Sequence, residues 1–238
     1  MRKTLAWAAA ALCFAMGHAL AAEISVMPVR VALSAKQDRQ SITLQNQSAE
    51  RVTLQVEAVA WTQQDGVDRY APTTDLVVNP PVFSIEPGRS QLLRVGLRSR
   101  PQGEHETAYR LVVRQVPLPA DGASGDEGQV RVLLELRLPV YVAPASAQRA
   151  QQWRAWKTPD GLLAVEMQNT GTVHQTITGL ELHDGTGVHG SVRGSSAVLA
   201  GQTRRWEFRP ADKALQQVVL VAATDAGIQR VPLSLPAR

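Results

Sequence analysis

The tightest constraint on this chain is its rhythm. From Ile24 to Leu235 it is a succession of short runs in which apolar and polar residues alternate, each cut off by Gly, Pro, Asn or Asp. Alternation with period two marks a strand with one buried face. Ile24-Ser25-Val26, Val29-Arg30-Val31, Ser41–Gln45, Arg51–Glu57, Gln91–Val95 and Tyr109–Arg114 follow it, with turns at Asn46-Gln47-Ser48, Gln64-Asp65-Gly66 and Glu86-Pro87-Gly88. Those residues supply the dihedrals that tight turns need. No segment carries a long apolar stripe of period 3.6, which argues against α/β folds with nucleotide-binding crossovers. Strand after strand at this spacing predicts an all-β protein built from sandwiches.

The first 21 residues stand apart. Arg2 and Lys3 precede an apolar run from Leu5 to Met16, and Ala19-Leu20-Ala21 offers small residues for cleavage, the pattern of a secretory signal peptide. Without it the chain keeps 23 Lys and Arg against 21 Asp and Glu, so the formal charge falls from +4 to +2. The single cysteine, Cys13, is lost with the leader, which excludes disulfides, thiolate metal sites and cysteine nucleophiles. No other apolar run reaches the roughly 20 residues needed to span a bilayer. The expected compartment is the periplasm.

Composition shifts at Ala143-Pro144-Ala145-Ser146-Ala147-Gln148, small and polar after an apolar strand. A domain boundary is expected there, giving domains over 22–144 and 145–238. In the second, strands are expected over Leu162–Gln168, Thr176–His183, Thr203–Phe208, Gln217–Ala222 and Ile228–Leu235. Their lengths suit two immunoglobulin-like sandwiches.

Catalytic chemistry finds little support. His105, His174, His183 and His189 lack metal-ligand spacing and read as surface or turn residues. Ser195 and Ser196 after Gly194 lack the second glycine of a nucleophile elbow and read as loop serines. The acidic pairs Glu104/Glu106 and Asp126/Glu127 fall among turn residues and read as solvated carboxylates. Arg89, Arg94, Arg98, Arg100, Arg110 and Arg114 crowd one region, yet few aromatics stand between them to stack bases. The reading is a protein without enzymatic activity, cofactor, metal, nucleic acid or small-molecule substrate.

The unusual element runs from Gln129 to Val142. Every even position from Val130 is aliphatic, seven in succession, which makes a strand face of about 40 Å at roughly 3.3 Å per residue. Strands usually stop at 3–10 residues. Such a row either packs its excess on the second domain or lends it to another protein by strand addition at a sheet edge.

Several segments resemble the periplasmic chaperones of pilus assembly by the chaperone–usher route. They are Ile24–Val31, Asn79-Pro80-Pro81 with Glu86-Pro87-Gly88 and the strand to Val95, Glu106–Leu111 with Val116-Pro117, and Leu136–Val142. More loosely, Leu163–Gly171 is similar to the family's strand and Asn-Thr-Gly turn. The ending Leu138-Pro139-Val140-Tyr141-Val142 resembles the archaic-type branch.

The resemblance implies two immunoglobulin-like domains set at an angle around a cleft. It further implies a chaperone that folds and caps pilins by donor-strand complementation and delivers them to an outer-membrane usher. Val130, Val132, Leu134 and Leu136 would fill the subunit's groove. Arg30 and Arg137 would anchor the subunit's terminal carboxylate, with Arg94 or Arg114 as alternatives in the archaic type. Leu118 to Gly128 would be a mobile loop beside the donor strand. An exposed donor edge also leaves room for self-association of the free chaperone. The competing reading is a secreted structural or adhesive sandwich.

Overall fold

The computed structural model describes residues 23–100, 103–117, 132–183, 187–209 and 216–235. The leader, the loop from Leu118 to Gly128 and Val130 lie outside them. The described residues contain strands and no helix.

Ten strands precede Ala143: β1 (Ile24–Met27), β2 (Val31–Leu33), β3 (Arg39–Asn46), β4 (Val52–Gln64), β5 (Val67–Pro72), β6 (Leu76–Asn79), β7 (Val82–Ile85), β8 (Ser90–Leu97), β9 (Thr107–Gln115) and β10 (Glu135–Val142). They form one sheet in the order β1-β3-β8-β6 and another in the order β2-β10-β9-β4-β5, with β7 also on β4. Seven more follow Gln148: β11 (Gln151–Lys157), β12 (Leu163–Asn169), β13 (Gln175–His183), β14 (Val188–Val198), β15 (Thr203–Phe208), β16 (Gln217–Thr224) and β17 (Gly227–Ser234). These make sheets β11-β12-β15 and β14-β13-β16-β17.

Each pair of sheets closes over its own core, because period-two alternation gives every strand one apolar face. Ile42, Leu44, Leu54, Leu93, Val95, Leu111, Val113 and Val140 fill the first core; Leu163, Val165, Met167, Ile177, Leu180, Leu182 and Leu220 fill the second. The turns read from the sequence are present. Asp65 and Gly66, both with positive φ, join β4 to β5 as a two-residue hairpin needs. Gly88, with φ 68°, sits in a turn closed by the Arg89 N–H donating to Glu86 O.

A matching device ends one strand in each sandwich. Asn46, fully buried, donates through Nδ2 to Glu50 O and Ile85 O, and its Oδ1 accepts from the Ser48 N–H. Asn169, also fully buried, donates to Val173 O, Val198 O and Leu199 O and accepts from the Gly171 N–H. Gly171 is required beside it: a Cβ there would stand 2.4 Å from Gln148 O.

The segment between the sandwiches is pinned to the second. Thr172 exchanges bonds with Gln148 and donates through Oγ1 to Ser146 O, and Arg149 makes a two-pronged ion pair with Asp225. Burial raises the Asp225 carboxyl, but the bonds from Arg149 and the Thr176 N–H outweigh it and hold the group below its ordinary value. A carboxyl depressed by folding contributes stability above its unfolded pKa and loses it as pH falls through the folded one. Acid titration of thermal stability is therefore expected to show a fall below about pH 4 that Asp225→Asn flattens.

Some expectations need correcting. Gly194, Ser195 and Ser196 belong to β14, with Ser196 opposite Ile177, and are not loop residues. Strands β5 to β7, β11 and β14 (Val188–Val198) are not among those expected from the sequence. Among the described residues β10 begins at Glu135, so Val132 to Leu134 of the aliphatic row lie outside the strand. Its buried members Leu138, Val140 and Val142 pack into the first sandwich's own core, not onto the second domain.

Candidate functional site

The site is built on β10, whose two faces and two edges are used differently. Even residues face the core; odd residues face a cleft shared with the second sandwich. Burial falls steadily up the even row. Val140 is fully buried and Leu138 is 8% exposed, Leu136 packs partly on the core, Leu134 is half-buried, and Val132 is 66% exposed with Leu133 at 49% beside it. Val130 would continue the row and lies outside the described residues.

One edge of β10 pairs with β9 from Glu135↔Arg114 to Val142↔Thr107. The ladder is extended at its end, where Gln115 N–H donates to Leu134 O and Gln115 Oε1 accepts from the Leu134 N–H. On the other edge β2 pairs only Val140–Val142. Among the described strands nothing pairs that edge from Glu135 to Pro139. Antiparallel alternation turns the main-chain groups of Glu135, Arg137 and Pro139 toward it. Pro139 is tolerated there because an edge position does not need its missing N–H. Met27 and Val29, just before β2 in the chain, are exposed.

The cleft face of this sheet is set by register. Glu135 stands opposite Arg114, Pro139 opposite Arg110, Tyr141 opposite Ala108, and Trp61 opposite both Ala108 and Tyr70. Arg110, Arg114 and Arg137 therefore share one face. Arg114 bonds both Glu57 and Glu135, and Arg137 bonds Glu135 at 2.7 Å while lying over the Tyr70 ring. These bonds hold the Glu135 carboxyl below its ordinary value and raise both guanidinium pKa values. Arg110 differs. Its guanidinium lies 3.8 Å over the Trp61 ring, donates weakly to Arg137 O, and has no ion-pair partner among the described residues. Its Nε is buried with no hydrogen-bond partner there.

Arg30 is exposed, two residues before Ala32, which stands opposite Tyr141. Its charge reaches the Tyr141 hydroxyl, which burial above all pushes up to about 12. Arg94 lies on β8, between Ser41 and Asn79 in the other sheet, away from this face. Nothing local in the sequence singles out Arg110, because its place over Trp61, 49 positions away, and the lack of a carboxylate partner among the described residues are set by register.

The second sandwich closes the cleft. Trp61, Ala108 and Tyr141 pack with Leu199. Gln63 donates to Ala197 O and accepts from the Leu199 N–H, 2.9 and 3.0 Å. His174 stacks flat on Tyr141, ring centroids 3.5 Å apart and planes within 4°. Its Nδ1 is 2.6 Å from Glu106 Oε1, which also accepts the His174 main-chain N–H. Two expectations fail here. His174 and Glu106, with side chains 9% and 5% exposed, are neither a surface histidine nor a solvated carboxylate. Their burial comes from domain apposition, which one-dimensional spacing does not report. Among the described residues no group of three His, Cys, Asp or Glu is placed to hold a metal ion.

Comparison with known proteins fits this geometry. Residues 23–148 match the family described as pili and flagellar-assembly chaperone, PapD N-terminal domain. No curated protein matches the chain in sequence. Among solved structures, the fold is similar to a chain of the CsuC–CsuE chaperone–tip adhesion subunit pre-assembly complex of the archaic Csu pili of Acinetobacter baumannii. That match has 16% identity and TM-score 0.68, covering 90% of this chain and 100% of that one. The Pseudomonas aeruginosa CupB2 chaperone is 20% identical with TM-score 0.58, covering 87% and 97%. The Salmonella enterica SafA pilin–SafB chaperone complex gives 15% identity and TM-score 0.60, covering 89% and 94%. The family's model spans more than half of the sequence, including the half-open β10, and the chain belongs to the PapD-type pili and flagellar-assembly chaperones.

Proposed function

We propose that this protein is a periplasmic, non-enzymatic chaperone of two immunoglobulin-like domains, over 22–144 and 145–238. It caps pilin subunits by donor-strand complementation and hands them to an outer-membrane usher. The observation that carries this reading is the unpaired edge of β10 from Glu135 to Pro139, below an aliphatic row that becomes progressively exposed toward Val132. A subunit strand laid along that edge satisfies open main-chain groups. Leu136, Leu134, Val132 and Val130 then bury apolar surface in the subunit at roughly 25 cal/mol per Å².

The subunit's terminal carboxylate is held on the cleft face. Arg30 and Arg137 remain candidates for it, but Arg137 already bonds Glu135, and Arg94 is on the far sheet. Arg110 is the cation there without a carboxylate partner among the described residues, and it is fixed over Trp61. It is the principal anchor, with Arg137 and Arg30 beside it. A guanidinium can hold a carboxylate by two parallel bonds.

Co-expression with a pilin from its own chaperone–usher gene cluster tests the reading. A soluble one-to-one complex is expected, and Arg110→Ala should weaken it by about tenfold or more, the loss of one charged hydrogen bond. If every candidate pilin stays insoluble on co-expression with this protein, the structural-sandwich reading is favoured instead.

A further inference from the structure

We propose that His174, a residue of the second sandwich, is a positioning residue of the subunit cleft, holding Arg110 in place through a continuous chain of ring contacts. This rests on the chaperone reading for its effect on capture, but not for its effect on the free protein.

Four groups stand in line. The Arg110 guanidinium lies over Trp61 at 3.8 Å; the Trp61 and Tyr141 rings are tilted at 46° with centroids 5.9 Å apart; and Tyr141 lies flat on His174. The first three come from neighbouring strands of one sheet, and the fourth from the residue just before β13. His174 is itself clamped, because one carboxylate oxygen of Glu106 takes both its ring Nδ1 and its main-chain N–H. Glu106 is tied back by its own N–H, which donates to Thr172 O.

The ring plane of His174 is thus fixed by two bonds to one atom, and Tyr141 has no room to tilt while that plane holds. Tyr141 in turn supports the ring on which the cation rests. Leu199 packs with Trp61, Ala108 and Tyr141, and its N–H donates to Gln63 Oε1, which ties the second sandwich to the ring cluster. Arg110 needs such support, since among the described residues no carboxylate holds it and its buried Nε has no partner. Attraction to the ring face is what keeps it aimed.

The test uses the full chain labelled with nitrogen-15, in which the Arg110 Nε–H signal is identified by its loss in Arg110→Lys. The Trp61 ring current should set this signal apart from the other arginines. His174→Ala should move it toward them. If His174→Ala loosens the domains altogether, Tyr141→Leu breaks the same chain of contacts from the first sandwich and should move the signal alike, while Tyr141→Phe leaves it. In capture of a pilin, His174→Ala should cost about tenfold and cost nothing further in the Arg110→Ala background. An unmoved signal in both His174→Ala and Tyr141→Leu, or losses that simply multiply in the double variant, would overturn the proposal. A signal that moves in a protein that captures no pilin would uphold the chain of contacts and sink the chaperone reading alone.

Discussion

Replacing Leu134 with aspartate is expected to leave the protein folded and to reduce pilin capture by at least about a hundredfold, close to 3 kcal/mol of binding. The position on the row decides this. Leu134 is half-buried, precedes the first residue of β10, and is held mainly through its main chain by Gln115. Its side chain is outside the buried cluster of the first core. A carboxylate there meets water in the free chaperone, but in a filled pilin groove it would be desolvated without a partner. Four residues on, the same change has the opposite signature. Leu138 is in the core, so Leu138→Asp should unfold the first sandwich. Circular dichroism melting alongside pull-down of co-expressed pilin separates the two. If Leu134→Asp melted the protein as Leu138→Asp does, the whole row would be core and β10 no donor. If Leu134→Asp captured pilin normally, the subunit would contact some other surface.

Replacing Asn169 with alanine is expected to destabilise the second sandwich by about 3 kcal/mol. Its amide donates to three carbonyls, at Val173, Val198 and Leu199, from a fully buried position. Removing one partner of a buried bond leaves the other unsatisfied at about 1–3 kcal/mol, and here one substitution affects several. Asn169→Asp should be at least as damaging, since a carboxylate keeps the acceptor for the Gly171 N–H but turns an oxygen toward three carbonyl oxygens. Urea unfolding of the full chain measures this. A loss below about 1 kcal/mol would mean that the turn from Thr170 to Val173 relaxes enough to find other donors.

The fold class was legible because its cause is local. Period-two alternation and the turn residues at Asp65-Gly66 and Pro87-Gly88 act over two to eight residues, and the structure places a hairpin and a turn there. Among the strands that escaped notice, some present no clean apolar face. β5 is exposed at nearly every residue, and β11 carries Trp153 and Trp156 on opposite faces. The aliphatic row stood out for the same local reason, and so did its resemblance to a pilus chaperone.

Other features of the site depended on distant parts of the chain. By itself the sequence determined an all-β chain, the apolar face of each strand, and a row too long for one ordinary strand, since these follow from side-chain period and turn stereochemistry. The tertiary structure decided that the row leaves the core after Leu138 and that its edge stands open below Val140, where β2 pairs only its last three residues. Register also decided which arginine of this face has no carboxylate partner among the described residues, by setting Arg114 and Arg137 beside Glu57 and Glu135 and Arg110 over Trp61. The apposition of two sandwiches turned a turn-flanking glutamate and a solitary histidine into a buried pair. Contacts between residues 68 positions apart are fixed by the packing of whole sheets, and no local pattern carries them.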